Sequence, residues 1–212
     1  MGIHIVAVVG SPHGSGSTAA AVQAVLAGVT AAGAGMESLD LRSDDLDAVV
    51  DRIDEADGVV LASPVYRAAH TALLASLLER IPRGAAGETR APLAGKAAMV
   101  LLTGASHHHF LATERLRAPL ASFFAVQTLS PGLYFTPASY TSDKVLNDES
   151  RALAELHGRA LVELATALHD GMRAVLGTWG IEGYRRKWHL YDFPLAEYEQ
   201  LEALLHDIPL EE

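Results

Sequence analysis

The tightest constraint on this chain is how its first apolar run ends. Ile3-His4-Ile5-Val6-Ala7-Val8-Val9 stops at Gly10-Ser11-Pro12-His13-Gly14-Ser15-Gly16-Ser17-Thr18, and Ala19-Ala20-Ala21-Val22-Gln23-Ala24-Val25-Leu26 then starts a helical pattern. A run this apolar reads as a strand covered on both faces. It feeds a loop of small hydroxyl residues that opens a helix. Free backbone N–H groups and the positive end of the helix dipole point into such a loop, and hydroxyls add donors, so it suits a phosphate. Ser11, His13, Ser15, Ser17 and Thr18 are the candidates to hold it. The loop is neither a Walker A, since no Gly-Lys-Ser/Thr follows, nor a G-x-G-x-x-G dinucleotide fingerprint. Without a lysine it favours a monophosphate tail over a triphosphate. The plainer alternative is a strand–helix turn with serine caps.

The same alternation repeats down the chain. Apolar stretches at 3–9, 35–41, 58–62, 97–102 and 125–129 are separated by helical patterns at 17–32, 44–56, 68–80, 110–124 and 149–168. Strands and helices that alternate over short connections predict right-handed crossovers and helices on both faces of a parallel sheet. Five strands fit an α/β three-layer sandwich of flavodoxin-like type, with strand order 2-1-3-4-5. Sheets of that kind bind ligands beyond the carboxyl ends of the strands, beside the switch between strands one and three. Three segments should meet there: 10–18, 63–67 and 103–109. Residues 1–169 are expected to form this domain. Residues 170–212, with both tryptophans and the cluster Arg185-Arg186-Lys187, are expected to form a C-terminal arm rather than a second core.

Composition narrows the function. A net charge of −10 argues against a general nucleic-acid binder. The chain has no cysteine, so disulfides, thiolate nucleophiles and cysteine metal sites are excluded. No signal peptide and no membrane span are expected, and a cytoplasmic location fits.

The second segment, Ala62-Ser63-Pro64-Val65-Tyr66-Arg67, also lies between a strand and a helix. Proline fixes the turn and keeps Ser63 extended. Tyr66 has the shape to pack near a planar ring, and Arg67 the charge to meet a phosphate or carboxylate. Alternatively Tyr66 packs on the helix and Arg67 is solvated. In the third segment, Thr103-Gly104-Ala105-Ser106, small residues let the backbone approach a flat ligand, and its N–H groups suit a flavin's pyrimidine edge. His107-His108-His109 follows, but consecutive histidines diverge in direction and no carboxylate spacing supports a metal. No metal site is expected. A serine hydrolase would need G-x-S-x-G, and Gly14-Ser15-Gly16-Ser17 lacks that spacing.

Together these segments resemble the NADPH-dependent FMN reductase family of flavodoxin-like proteins, nearest to the flavin reductases that serve sulfonate monooxygenases. Gly10-Ser11-Pro12-His13 with Ser17-Thr18 is similar to that family's G-S-P-R-x-x-S-x-T loop, and Ser63-Pro64-Val65-Tyr66 to its [ST]-P-x-Y turn. Residues 72–80 are similar to its next helix, and Thr103-Gly104-Ala105 to its T-G-G turn. The resemblance implies FMN as cofactor, NADPH or NADH as co-substrate, and a homodimer or homotetramer. It implies that Ser11, His13, Ser15, Ser17 and Thr18 hold the phosphate. Pro64, Val65, Tyr66 and Arg67 would line the ribityl chain and ring, and Thr103, Gly104, Ala105 and Ser106 the far edge.

Three departures matter, at position 13, in the third helix and in the fourth helix. His13 stands where arginine is usual, Ala72 where glycine is common, and Ala75-Ser76 where Leu-Lys is usual. The fourth helix lacks the inserted tyrosine that makes a π-bulge in the sulfonate-type reductases, so an uninterrupted helix is expected, and with it a relative that retains FMN. The expected activity is NAD(P)H-dependent reduction of FMN, with electrons passed to a quinone, azo compound, metal ion, free flavin or partner protein. The alternatives are a reductase that hands reduced FMN to a monooxygenase, and a non-catalytic FMN-binding accessory protein. The 179–188 stretch is expected to reach over a neighbouring subunit's active site.

Overall fold

A computed structural model describes residues 2–14, 16–83, 88–141 and 144–188, with side chains as far as residue 169. The strands are β1 (His4–Val9), β2 (Gly35–Asp40), β3 (Gly58–Pro64), β4 (Ala97–Thr103), β5 (Gln127–Thr128) and β6 (Leu133–Phe135). The α-helices are α1 (Ser17–Ala31), α2 (Leu46–Glu55), α3 (Ala72–Arg80), α4 (Ala112–Ser122) and α5 (Asp148–Trp188). The strands pair in parallel in the order β2-β1-β3-β4-β5, and β6 also pairs with β4.

Strand side chains alternate between two cores, as the pleat requires. Val6, Val8, Val59, Leu61, Val100 and Leu102 point one way, onto Val49 and Ile53 of α2, Leu74 and Leu77 of α3, and Leu116 and Leu120 of α4. Ile5, Ala7, Val60, Met99 and Leu101 point the other way, onto Val22, Val25 and Val29 of α1 and Leu161 and Ala165 of α5. The sandwich is therefore three layers, with α1 and α5 as the helices of one face among the described residues. Those two helices approach closely through glycines: a Cβ at Gly28 would overlap the Glu155 carbonyl, and one at Gly158 the Val25 carbonyl.

Three elements differ from the sequence reading. The third helix begins at Ala72 rather than 68. Tyr66 and Ala69 exchange backbone hydrogen bonds of 2.9 and 3.2 Å, closing a two-residue turn with Arg67 and Ala68 at φ 53° and 63°. Thr71 then caps α3, accepting from Leu74 N–H at 3.4 Å and donating to the Gly10 carbonyl at 2.6 Å. The fifth strand is split. Ala98 pairs with Thr128 and Leu101 with Leu133, so four residues (129–132) span a gap that two bridge in β4. Ser130–Pro131, a cis peptide bond, lies in that detour. Finally α5 runs on past 168 to Trp188, because no proline interrupts the chain between its start and Pro194. Residues 189–212 lie outside the described residues. Among the described residues no helix is long and apolar enough to cross a membrane.

Candidate active site

The carboxyl ends of β1, β3 and β4 open into a cleft of about 530 Å³, beside the point where the chain crosses from β1 to β3. Its walls include Ser11, His13, Ser17 and Thr18 from the first loop, Pro64, Val65 and Tyr66 from the second, and Thr103, Gly104 and Ala105 from the third. Ten of the thirteen residues singled out from sequence thus share one wall system. Ser15 lies outside the described residues. Arg67 and Ser106 are not part of the wall: Arg67 sits at the tip of the 66–69 turn, and the Ser106 hydroxyl meets His108 Nδ1 at 3.1 Å.

Each loop is held by its own hydroxyls. Ser11 Oγ donates to the His13 carbonyl at 3.0 Å and accepts from the His13 N–H at 3.2 Å, which folds the loop back on itself. Its donor is spent inside the loop, so Ser11 shapes the cradle. Gly16 caps α1 without any side-chain bond, which leaves the first N–H groups of that helix without a side-chain acceptor. Thr18 Oγ1 and Thr103 Oγ1 are 2.7 Å apart and almost fully buried. Two hydroxyls carry two protons and their mutual bond uses one, so the pair retains one donor. In the second loop Ser63 Oγ accepts from Thr71 N–H at 3.0 Å and donates to the Pro64 carbonyl at 2.8 Å. That fixes the turn that presents Tyr66, which is 49% exposed at the cleft.

A fourth wall was not anticipated. Phe135, Thr136, Pro137, Tyr140, Thr141 and Lys144 also line the cleft. They follow β6, the short strand hidden by the detour. Tyr140 Oη donates to the Ser17 carbonyl at 2.9 Å, joining this wall to the start of α1, and burial holds its hydroxyl well above the usual tyrosine range. Tyr134 Oη donates to the Ser106 carbonyl at 2.9 Å, and burial pushes its hydroxyl up too. Gly104 is required beneath it, since a Cβ there would overlap the Tyr134 hydroxyl. The available signal was Pro131-Gly132, then an apolar triplet, then Thr136-Pro137, a turn, strand and helix-start in seven residues.

The donor set fits an anionic, partly flat ligand. Uncapped helix N–H groups and the Ser17 hydroxyl lie at one end, and small residues with an exposed tyrosine at the other. The three histidines form one exposed 3₁₀ turn, His107–His109, beyond the cleft wall.

The chain is 32% identical over 132 residues to an FMN reductase (NADPH) of Pseudomonas aeruginosa, covering 62% of this chain and 65% of that protein. It is 31% identical over 112 residues to an NADH-dependent FMN reductase, SfnF, of Pseudomonas fluorescens, covering 53% of this chain and 56% of that protein. The matches thus span less than two thirds of either relative. A solved apo structure of an NADH:FMN oxidoreductase, EMOB, superposes with a TM-score of 0.64 at 25% identity, covering 76% of this chain and 88% of that one. The model of the NADPH-dependent FMN reductase family matches residues 3–140, a stretch that holds all three anticipated loops and most of the fourth wall, and the chain belongs to that family.

Proposed function

We propose that this chain is an NAD(P)H-dependent FMN oxidoreductase whose FMN lies in the cleft. The observation that carries this reading is the convergence of three strand ends on an uncapped helix N-terminus. Ser17, the α1 N–H groups and the loop from Ser11 to His13 hold the phosphate. The remaining proton of the Thr18–Thr103 pair serves the ribityl region. Pro64, Val65 and Tyr66 bound one side of the ring, and Thr103, Gly104 and Ala105 the other; Arg67 and Ser106 act from the rim, and Ser15 belongs to the phosphate loop. Bound there, FMN supplies the hydride acceptance and the onward electron transfer. The protein's part is orientation and exclusion of water, so no acid–base residue is required. The exposed side of Tyr66 admits the nicotinamide first and the acceptor afterwards.

The wider reading includes a flavin domain over 1–169 with the rest as an arm, a homodimer or homotetramer, and a cytoplasmic location. Retained FMN is the favoured mode because α4 runs uninterrupted from Ala112 to Ser122. Supply of reduced FMN to a monooxygenase is the second reading, supported by relatives whose names give FMN as what they reduce. One experiment tests both. Purified protein is examined by visible spectroscopy, then given NADPH or NADH without oxygen. Copurified yellow flavin that bleaches supports retained FMN. Colourless protein that oxidises the nicotinamide only with added FMN supports the second reading. Bound flavin that neither nicotinamide reduces overturns the enzymatic assignment and leaves a binding protein.

A further inference from the structure

The phosphate loop has no fixed cation of its own. Residues 10–18 contain neither lysine nor arginine, and position 13 is histidine. Helix N–H groups and hydroxyls can hold a phosphate by themselves, and in a chain of net charge −10 a nearby positive charge adds to that attraction. Arg42 does not supply it. Its guanidinium packs against Gly14 and pairs with Asp40 at 3.2 Å, and neither Arg42 nor Gly14 lines the cleft.

Lys144 is differently placed. Among the described residues it is the one lysine or arginine that lines the cleft, whose lining also includes Ser17, Thr18 and Tyr140. Thr141 N–H donates to the Val145 carbonyl at 2.7 Å and Lys144 N–H to the Thr141 carbonyl at 3.2 Å, which ties the Lys144 backbone to Thr141. Next to Thr141, the Tyr140 hydroxyl donates to the carbonyl of Ser17, the first residue of α1. Lys144 itself has φ 59°, a conformation that costs a non-glycine residue free energy. Among the described residues no carboxylate pairs with it. A cation that lines the cleft and pairs with none of the described carboxylates is available to a ligand; its chain neighbour Asp143 lies outside the described residues.

We infer that Lys144 is the electrostatic partner of the ligand's phosphate, supplying from the fourth wall the charge that the loop lacks at position 13. This rests on the flavin reading above. The test uses flavin-free protein and two ligands that differ only in the phosphate, FMN and riboflavin, with affinities from quenching of flavin fluorescence. Lys144→Met keeps most of the stem and removes the charge; Lys144→Arg keeps the charge. Lys144→Met should weaken FMN about tenfold and flatten its salt dependence, with riboflavin changed less than about twofold. Lys144→Arg should recover most of the loss. Equal weakening of both flavins, or of neither, overturns the role of Lys144, while a wild type that prefers FMN to riboflavin still upholds the flavin site. A wild type that binds neither flavin overturns the flavin reading itself, and this inference with it.

Discussion

The two ends of the sheet treat polar groups in opposite ways. At the carboxyl end the cleft is lined by hydroxyls and small residues, with an uncapped helix above it. At the amino end charges are closed on one another. Lys96 Nζ donates to the Ile53 and Asp54 carbonyls at 2.6 and 2.5 Å, where α2 ends. Asp57 accepts from the His4 N–H at 2.8 Å and lies 3.3 Å from His169 Nδ1. Arg90 joins Asp51 and Asp54, each at 2.9 Å. Helix C-termini point their carbonyls to this end, so cations belong here, and Lys96, Arg90 and His169 find partners within the chain. The end that closes its own charges stabilises the fold; the end that leaves donors open can take a ligand.

That contrast can be broken most forcefully at the cleft. Gly104→Ala should cost about 2–3 kcal/mol by urea denaturation, because the new Cβ displaces the Tyr134 ring and breaks its bond to Ser106. It should also abolish tight FMN binding. A stable variant with wild-type FMN affinity would show that the cleft floor is not fixed by this contact.

At the opposite end, Lys96→Met should cost about 1–2 kcal/mol at neutral pH, since it leaves two carbonyls without their donor, with FMN affinity unchanged. Burial lowers the Lys96 ammonium from 10.5 to about 8, against the attraction of Asp54 and Asp57. Between those values the unfolded chain holds the proton more tightly than the folded one. Stability attributable to Lys96 should therefore rise as pH climbs through that window, and the penalty for burying the charge is fully present below it. The two carbonyl acceptors favour the charged form and make the rise smaller than burial alone would give. Denaturation midpoints across this pH range should show the rise in the wild type and lose it in Lys96→Met.

The smallest effect belongs to His169→Gln. Its partner Asp57 is already held by the His4 N–H, and the His169 side chain is 33% exposed. A change below about 0.5 kcal/mol is expected, with no effect on flavin binding.

Sequence patterns sufficed wherever one physical signal acted alone. The two-sided apolar runs gave β1, β3 and β4, and the strand–loop–helix joints gave three cleft walls. They failed where signals overlapped. A three-residue strand behind a proline-containing detour has too few residues to show a period, so β6 went unseen and the wall after it with it. The sequence order sets Arg67 next to Tyr66, but two positive φ values turn the chain there, so Arg67 stands at the tip of the turn and not in the cleft wall, a placement that no local pattern gives. The spent donor of Ser11 and the shared proton of Thr18 and Thr103 are tertiary facts, and no local pattern announces them.

The glycine crossing of α1 and α5 has a consequence remote from the cleft. Gly28 lies 11 residues along α1 from Ser17, about 16 Å at the rise of an α-helix. Glycine at 28 and 158 sets how near the two axes come, and so acts as the fulcrum that aims the open end of α1. A methyl group added at either position would tilt a rigid rod whose far tip opens onto the cleft. The shape of the cleft is thus adjustable from the back face of the sheet, by residues that do not line it.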